Sequence, residues 1–366
     1  MFDNIIKYLI NDYETVIKPI LIPSELTEGT GICNPSILVE EDKIHLIIRH
    51  VEYTLYICEN EQKYQSANQG PISYYHREDK NELKTNNYYC ELDKDSLEIT
   101  RYHKIDTSKL DVEPIWTFVG LEDARLVKWS KKYYLCGVRR DTTTNGKGRM
   151  ELSEIEIKDD SVKEINRSRI EVENKNSYCE KNWMPVLTEP YHFVKWSDPT
   201  EVVKVDMKEK YAERITLKEK KYNTKYDIRG GTPLIEWFDE TYLCITHEVD
   251  FTLRNINGHK NASYYHRFVI FNKDYEIIQM TEPFNFMTGR IEFCIGMDRL
   301  NDEILIAFSF QDNGSYIIRI KEENLKELKL RKMEFEKGKI FEKLDDDTNN
   351  LSLGLDKFDI DKSKEN

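Results

Sequence analysis

Hydrophobic positions along most of the chain occur in short runs, and helical spacing is confined to the two ends. Between residues 23 and 320, runs rich in Val, Ile, Tyr, Phe and Trp alternate with polar turns, which is the pattern of β-strands. Asn4–Ile17 has the spacing of an amphipathic helix, and Leu325–Phe341 alternates basic and apolar residues without a clear period. We therefore predict an N-terminal helical segment (1–22), an all-β domain (23–320) and a charged tail (321–366), partly disordered, in which residues 345–366 are too polar to pack.

Five segments of the β domain look alike. Each has a polar lead-in, a short apolar strand, a charged turn, and a second apolar strand that ends in a polar cluster, which together predict a β-hairpin. The five are Asn34–His50, Glu122–Arg140, Asn182–Trp196, Gly231–Glu248 and Phe293–Asp312. Their uneven spacing fits propeller blades that carry insertions, because a blade needs roughly 40–50 residues. A five-bladed β-propeller is the predicted fold, with a β-sandwich or two smaller β domains as alternatives.

Composition narrows the classes of partner. The 366 residues contain 54 Lys and Arg against 67 Asp and Glu, a net charge of −13, so the basic surface that nucleic acid requires is not expected. The longest apolar runs are far shorter than the roughly 20 residues of a membrane-spanning helix, and Met1–Ile10 lacks the features of a secretory signal. Seven cysteines without a C-x-x-C pair favour free thiols in a reducing compartment. We expect a cytoplasmic protein with no membrane partner.

The hairpin ends carry the candidate chemistry. In an antiparallel hairpin, the start of the first strand and the end of the second lie at the same edge. If these hairpins are the inner pairs of the blades, their polar ends converge on the central funnel. The mixture of cations, carboxylates, aromatic rings and amides suits a hydroxyl-rich substrate that also presents an anion. These residues are Asn34, Arg49, His50, Glu122, Asp123, Arg125, Arg139, Arg140, Lys181, Asn182, Trp183, Arg229, His247, Glu248, Gln311 and Asp312.

The most specific feature is the segment GLEDAR, Gly120–Arg125. Adjacent residues of a strand point to opposite faces, so Glu122 and Asp123 should not both face the funnel in the same way. We expect one of them to perform chemistry and the other to hold structure or a substrate hydroxyl. A carboxyl in a partly dry pocket can supply the proton that a leaving glycosidic oxygen needs. The alternative is an Asp–Arg pair that only fixes a turn.

Eight short fragments occur in a fixed order along the β domain: NPS, GLEDAR, EKNWMP, RGGTP, YLCITHE, YYHRF, TEPF and IAFSFQD. In this order they resemble the β-mannoside phosphorylases of glycoside hydrolase family 130 and the related β-mannosyltransferases. The resemblance covers residues 23–320 and implies a five-bladed propeller. Ala124 stands where that family has proline, and EKNWMP with YYHRF is closer to bacterial sugar-transfer relatives, so the resemblance leaves substrate and acceptor open.

The resemblance also implies roles for individual residues. Asp123 would be the single catalytic acid, giving its proton through a sugar hydroxyl. Arg139, the step Lys181–Asn182 and the segment Tyr242–His247 would contact the attacking phosphate, and Asp312 would bond sugar hydroxyls.

Position in the hairpins adds the remaining candidates. The candidate substrate contacts are Asn34, Arg49, Glu122, Arg125, Trp183 and Asp312. The candidate phosphate contacts are Arg139, Lys181, Asn182, Arg229, His247 and Tyr265. Tyr265 is included from the run YYHRF, whose funnel-facing side the alternation of a strand does not decide.

The predicted reaction is an inverting glycosyl transfer on β-mannoside-type linkages, with phosphate or a sugar 1-phosphate as co-substrate. Cations on the attacking side would orient a phosphate that already carries negative charge, whereas a hydrolase needs a second carboxylate to activate water. The scattered histidines indicate no metal, and no other cofactor is required. The alternatives are a nucleotide-sugar-dependent glycosyltransferase, a glycoside hydrolase and a non-catalytic carbohydrate-binding propeller, and self-association into a homo-oligomer is left open.

Overall fold

Short strands account for most of the chain, as its apolar runs predict. The computed structural model describes residues 5–12, 15–28, 30–41, 43–54, 64–67, 74–77, 82–219, 222, 224–252, 262–327 and 331–332. The helices are α1 (Ile5–Asp12) and α2 (Glu322–Glu327). The strands of the first half are β1 (Val16–Ile20), β2 (Ile32–Val39), β3 (Ile44–Val51), β4 (Tyr53–Thr54), β5 (Tyr64–Ala67), β6 (Tyr74–Arg77), β7 (Leu83–Leu92), β8 (Ile99–Lys104), β9 (Phe118–Val119), β10 (Leu121–Trp129), β11 (Lys132–Arg139), β12 (Arg149–Lys158) and β13 (Ser161–Arg169).

The second half continues in the same way, with strands separated by short turns. Its strands are β14 (Glu171–Val172), β15 (Met184–Pro185), β16 (His192–Ser197), β17 (Thr200–Asp206), β18 (Tyr211–Lys218), β19 (Ile235–Glu236), β20 (Tyr242–Asp250), β21 (Ser263–Phe271), β22 (Ile277–Met280), β23 (Glu292–Leu300), β24 (Glu303–Phe310), β25 (Gly314–Lys321) and β26 (Arg331–Lys332). No helix in the described part of the chain has the length and apolar character needed to cross a bilayer.

Five sheets have the strand order of propeller blades, which confirms the predicted fold. Blade 1 is β2-β3-β7-β8, blade 2 is β10-β11-β12-β13, blade 3 is β15-β16-β17-β18 with β14 beyond β18, blade 4 contains β19-β20-β21-β22, and blade 5 is β23-β24-β25-β1. An additional small sheet, β4-β6-β5, is inserted between β3 and β7 of blade 1.

Each of the five predicted hairpins supplies the first two strands of a blade, paired antiparallel. The first strands of neighbouring blades come close together around the axis. A Cβ on Gly296 in blade 5 would lie 2.6 Å from the carbonyl oxygen of Pro35 in blade 1. Glycine is therefore required where these two backbones meet.

The N-terminal segment contributes to the propeller, so the predicted boundary after residue 22 lies too late. Helix α1 ends at Asp12, and β1 pairs with the outer strand β25 to complete blade 5. β-branched residues and Pro19 favour an extended conformation for β1 over continuation of the predicted helix to Ile17. The apolar face of α1 is buried with residues of blades 4 and 5.

The C-terminal boundary also differs from the prediction. Strand β25 ends at Lys321, and Leu325 of α2 is buried in the cluster that contains α1. The chain divides into a unit of residues 1–331 and a unit of residues 332–366. The predicted tail beyond Lys332, including residues 345–366, lies outside the described residues.

Apolar side chains between the blades form the core. Separate clusters of buried residues lie between blades 5 and 1, 1 and 2, 2 and 3, and 4 and 5. Six described cysteines are free and five of these are buried, as the sequence predicts. Because packing is between the faces of the blades, the polar ends of the inner strands are left to form a site on the axis.

Candidate active site

A repeated backbone distortion aims side chains at the axis. Asn34, Asp123 and Asn182 precede or interrupt the first strands of blades 1, 2 and 3, and their φ angles are 48°, 53° and 61°. The strand register shifts between Cys33 and Ser36 in blade 1, and the same irregularity surrounds Asp123 in blade 2. Asn and Asp tolerate this left-handed conformation best, and a β-bulge redirects a side chain.

The bulge changes the relation between the two acids of GLEDAR. Strand alternation predicts that Glu122 and Asp123 face apart, but both carboxylates reach the guanidinium of Arg49. Nη1 of Arg49 lies 2.8 Å from Oδ1 of Asp123, and Nη2 lies 3.3 Å from Oε2 of Glu122. The bulge therefore breaks the expected alternation between the two acids, and the division of roles between them stays a prediction.

Asp123 is held on one of its oxygens. Besides Arg49, the amide of Asn34 donates to Oδ1 at 2.6 Å, and the hydroxyl of Ser309 donates to the Asn34 carbonyl oxygen at 2.7 Å. Residues of blades 5, 1 and 2 thus fix the orientation of one carboxyl. No described residue donates to Oδ2 of Asp123, so that oxygen can accept a bond from a substrate hydroxyl.

A third carboxyl belongs to the same cluster. Asp312 follows the last inner hairpin with φ 49°, and the hydroxyl of Tyr53 donates to its Oδ2 at 3.3 Å. Burial raises the pKa of Asp312, and the negative charges of Asp123 and Glu122 raise it further against the opposing effect of Arg49. The axis therefore brings three carboxyls to one guanidinium.

The two acids of GLEDAR are shifted in opposite directions. Burial raises the pKa of Glu122, and the charge of Asp123 adds to that effect. Burial also raises the pKa of Asp123, but the charges of Arg49 and other cations, with the Asn34 hydrogen bond, outweigh it and the pKa falls below its ordinary value. In the free chain Glu122 is therefore the better proton holder of the pair, and Asp123 is ionised.

Three residues that the sequence predicts to contact phosphate lie near this cluster. They are Lys181, Arg229 and His247, and we call this part of the site its cationic side. The charge of Lys181, whose side chain is exposed, lowers the pKa values of Glu122 and Asp123. Arg229 is half-buried and its backbone bridges to His247. Burial, together with His266, Arg229 and other cations, holds the pKa of His247 well below its ordinary value. His247 is therefore neutral and can offer a hydrogen bond but no positive charge.

Asn182 is in the same backbone conformation as Asn34 and Asp123. Its side chain is buried, and its Oδ1 has no partner among the residues that the structure describes. Leaving a buried amide oxygen unpaired is costly, so a bound group that donates a hydrogen bond would stabilise it. This placement agrees with a ligand contact at the axis.

Arg125 is buried beneath the site, where its side chain bonds to the backbone. It is fully buried; its Nε donates to the Gly231 carbonyl and its Nη1 to the Asp123 carbonyl, each at 2.8 Å. The guanidinium therefore ties blade 2 to blade 4 through the backbone. The side chain of Arg125 has no exposed surface, and its Nη2 has no partner among the described residues. The predicted substrate contact of Arg125 stays a prediction.

Arg139 is directed away from the acid cluster. Its Nε pairs with Glu151 at 2.7 Å and its Nη1 with Asp141 at 3.3 Å. Neighbouring residues of a strand face opposite sides, and it is the charge of Arg140 that lowers the pKa of Glu122. Of this pair, Arg140 is therefore the arginine whose charge acts on the axial acids, and the phosphate contact of Arg139 stays a prediction.

Trp183 and Tyr265 also differ from the prediction. Trp183 is buried in the core between blades 2 and 3, edge-on to Phe193 at 5.9 Å. Tyr265 stacks on Tyr226 at 6.4 Å, whereas the ring of Tyr264 stacks on His247 at 5.5 Å. Burial and the charges of Asp312 and Asp123 raise the pKa of Tyr264, so Tyr264 is the tyrosine of YYHRF that belongs to the site.

Sequence reasoning missed several residues that position the cluster. They are Tyr53, Thr85, Tyr264 and Ser309. Ser309 and Tyr264 stand inside the fragments IAFSFQD and YYHRF, so a signal existed. Their partners come from other blades, which no local pattern reveals.

These features define the chain as a five-bladed β-propeller with an acid cluster on its axis. Comparison with protein-family models and with curated sequences finds no match. Solved structures do match. A glycosyl hydrolase from Bacteroides ovatus has a TM-score of 0.52 at 10% identity, over 80% of this chain and 85% of that one.

A second solved structure matches as well. It is described with the statement that the GH130 family of mannoside phosphorylases contains glycoside hydrolases that target β-1,2 mannosidic linkages in Candida mannan. Its TM-score is 0.51 at 10% identity, over 80% of this chain and 85% of that one. Likeness at this identity shows the fold, and it confirms the five-bladed architecture that the sequence resemblance implies.

Proposed function

We propose that this protein is an inverting glycosyl-transferring enzyme that acts on β-mannoside-type linkages, with phosphate or a sugar 1-phosphate as co-substrate. The observation that carries the proposal is the carboxyl of Asp123, oriented on the propeller axis by Asn34 and Arg49 with Oδ2 open to a substrate. The fold shared with a structure from the family of mannoside phosphorylases that contains glycoside hydrolases supports it, and the fold alone does not choose between phosphorolysis and hydrolysis.

The proton would come from the Glu122–Asp123 pair. Glu122 takes up that proton more readily than Asp123, because the pKa of Glu122 is raised and that of Asp123 is lowered, and Arg49 joins the two carboxyls. When a glycoside binds, the proton passes from the pair through a sugar hydroxyl to the leaving oxygen. The bond from the anomeric carbon to that oxygen breaks, and the departing sugar leaves as a neutral alcohol.

The nucleophile would approach from the cationic side. Lys181, Arg229 and Arg140 supply positive charge, and His247 with Asn182 supplies uncharged hydrogen-bonding groups. A phosphate oxygen forms the new bond to the anomeric carbon on the face opposite the leaving group, so the configuration inverts. Fixed cations favour phosphate because it arrives already charged.

Hydrolysis is the second candidate, and one observation favours it. Asp312 is a third carboxyl beside the pair, with a raised pKa, and an inverting hydrolase needs a second carboxyl to activate water. A nucleotide-sugar-dependent transferase would use the same cations for its donor. A carbohydrate-binding propeller without catalysis would show none of these turnovers.

One product analysis separates these reactions. The protein is incubated with β-1,2- and β-1,4-mannobiose, with and without inorganic phosphate, and the products are resolved by chromatography and ³¹P NMR. We expect α-mannose 1-phosphate only when phosphate is present. Free mannose formed equally without phosphate would establish a hydrolase, and turnover only with GDP-mannose and an acceptor would establish the nucleotide-sugar reaction. Absence of every product would overturn the proposal.

A further inference from the structure

Two consecutive side-chain hydrogen bonds connect blade 5 to the acid of blade 2 through blade 1. Ser309 lies on β24, Asn34 on β2 and Asp123 on β10. Oγ of Ser309 is 2.7 Å from Oδ1 of Asn34, and Nδ2 of Asn34 is 2.6 Å from Oδ1 of Asp123. The three residues are 0%, 3% and 7% exposed, so bulk water does not compete for these bonds.

The direction of both bonds follows from the charge of Asp123. Burial raises the pKa of Asp123, but nearby cations and the Asn34 bond lower it by more, so the carboxylate can only accept. The amide of Asn34 must therefore turn its NH₂ group to Asp123 and its carbonyl oxygen to Ser309. The hydroxyl of Ser309 donates to that oxygen at 2.7 Å, and its other acceptor, the Phe293 carbonyl, is farther away at 3.3 Å.

The orientation of the Asn34 amide decides which oxygen of Asp123 is held. Nη1 of Arg49, on β3, donates to the same Oδ1 at 2.8 Å. A carboxyl with one donor can turn about its Cβ–Cγ bond and present either oxygen. Two donors from different strands on one oxygen fix that rotation and direct Oδ2 to the substrate. Precise placement of a reacting group has a large effect on rate, so the Asn34 bond matters for turnover.

We propose that Ser309 is a positioning residue, which fixes the amide orientation of Asn34 and thereby the carboxyl of Asp123. Ser309 itself touches neither the substrate nor the reacting atoms. The inference rests on the proposed function, in which Asp123 takes part in the proton transfer. Because Ser309 belongs to the last blade and Asn34 to the first, the geometry of the acid depends on contact between the two blades that close the ring.

Ser309→Ala tests the proposal, with Ser315→Ala as the matched control. The Ser315 hydroxyl is also buried and also joins blade 5 to blade 1, but it donates to the Ile32 carbonyl at 3.1 Å. The pKa of Asp123 is measured by ¹³C NMR with aspartate labelled at its side-chain carboxyl, and Asp123→Asn identifies the signal. Ser309→Ala should raise this pKa by about half a unit or more, because the Asn34 bond that lowers it weakens. Ser315→Ala should leave it unchanged.

Turnover gives a second readout. In Ser309→Ala, kcat for mannobiose with phosphate should fall about tenfold while KM changes by less than about twofold, and Ser309→Thr, which keeps the hydroxyl, should restore both kcat and the pKa. Equal pKa values in Ser309→Ala and Ser315→Ala would overturn the proposal, as would an equal shift in Ser309→Thr, which would assign the effect to packing. The pKa comparison needs no turnover, so a protein inactive on mannobiose would refute the proposed function without deciding the role of Ser309.

Discussion

Two clusters of arginine and carboxylate occur in this propeller, and they differ in how closely arginines surround the central carboxyl. On the axis, the single guanidinium of Arg49 pairs with Glu122 and Asp123, with Asp312 nearby. Within blade 2, the carboxylate of Glu151 lies 2.7, 4.0 and 3.8 Å from Arg139, Arg167 and Arg169 respectively. The same residue types therefore form two different kinds of site.

The two clusters differ in the access that a substrate has to the carboxyl and in the number of arginines around it. Burial raises the pKa of Glu151 as well as that of Glu122, so a shifted pKa does not distinguish the clusters. Glu151 is only 2% exposed, whereas Asp123 keeps an oxygen that no described residue occupies. A carboxyl surrounded by arginines holds structure, and a surplus of carboxyls that a substrate can reach retains a proton for chemistry.

Asp123→Asn should have the largest effect. The amide preserves the shape of the side chain but cannot transfer a proton, so turnover of mannobiose should fall by about 1,000-fold while thermal unfolding stays close to that of the parent. Product formation under saturating phosphate measures it. The matched control is Asp302→Asn on the surface. An active Asp123→Asn protein would remove this residue from the catalytic role.

Glu151→Ala should affect stability instead of chemistry. It leaves three arginines without their shared anion, and breaking a buried ion pair in this way costs about 3 kcal/mol. Urea unfolding measures the loss, and turnover per folded molecule should be unchanged. Glu156→Ala on the same strand removes an exposed carboxylate and should cost below about 0.5 kcal/mol. Similar losses from both variants would contradict the structural role of Glu151.

Arg49→Lys and Arg139→Lys compare the two clusters directly. Lysine cannot reproduce the paired contacts of Arg49 with two carboxyls, and the resulting misplacement of Asp123 should lower kcat by about 100-fold. Arg139→Lys should change the KM for phosphate by less than about twofold, because the side chain lies outside the axial site. A large rise in the KM for phosphate would instead support the contact between Arg139 and phosphate that the family resemblance implies.

Glu122→Gln should move the pH profile with a smaller effect on the maximal rate. The acid must be protonated, so turnover falls as pH rises through the pKa of the pair. Removing Glu122 leaves Asp123, whose pKa is lowered, and the alkaline limb of kcat/KM should shift by about one unit toward lower pH. Glu156→Gln is the control. An unshifted limb would exclude Glu122 as the proton holder.

The sequence predicts the arrangement of the blades well because the hairpin pattern recurs along the chain. All five hairpins, their inner position and the acid segment follow from repeated patterns along the chain, and Asn34, Arg49, Asp123 and Asp312 meet as expected. The sequence does not predict strand β1, because Val16–Ile20 pairs with a strand that is distant along the chain. No adjacent turn indicates a hairpin there.

The errors in the site arise where one residue decides a facing direction. Strand alternation assigns Glu122 and Asp123 to opposite faces, and a bulge that the sequence does not reveal brings them to the same arginine. In each of the pairs Arg139–Arg140 and Tyr264–Tyr265, one residue faces the axial site and its neighbour faces away from it. An error of one position therefore selects the wrong residue of the pair. Trp183 is a further example. It stands just before the first strand of a hairpin, and an aromatic residue there can pack in the core as well as face the site.

Pairing of β1 with β25, in which Val16 lies opposite Arg319, has a consequence for biosynthesis. Strand β1 leaves the ribosome well before its partner β25, so the ring stays open until β25 has been made. During that time blade 5 is incomplete and β1 exposes an unpaired edge, which invites pairing with other chains. Overproduction should therefore favour aggregation before closure, and slower synthesis should raise the yield of closed rings.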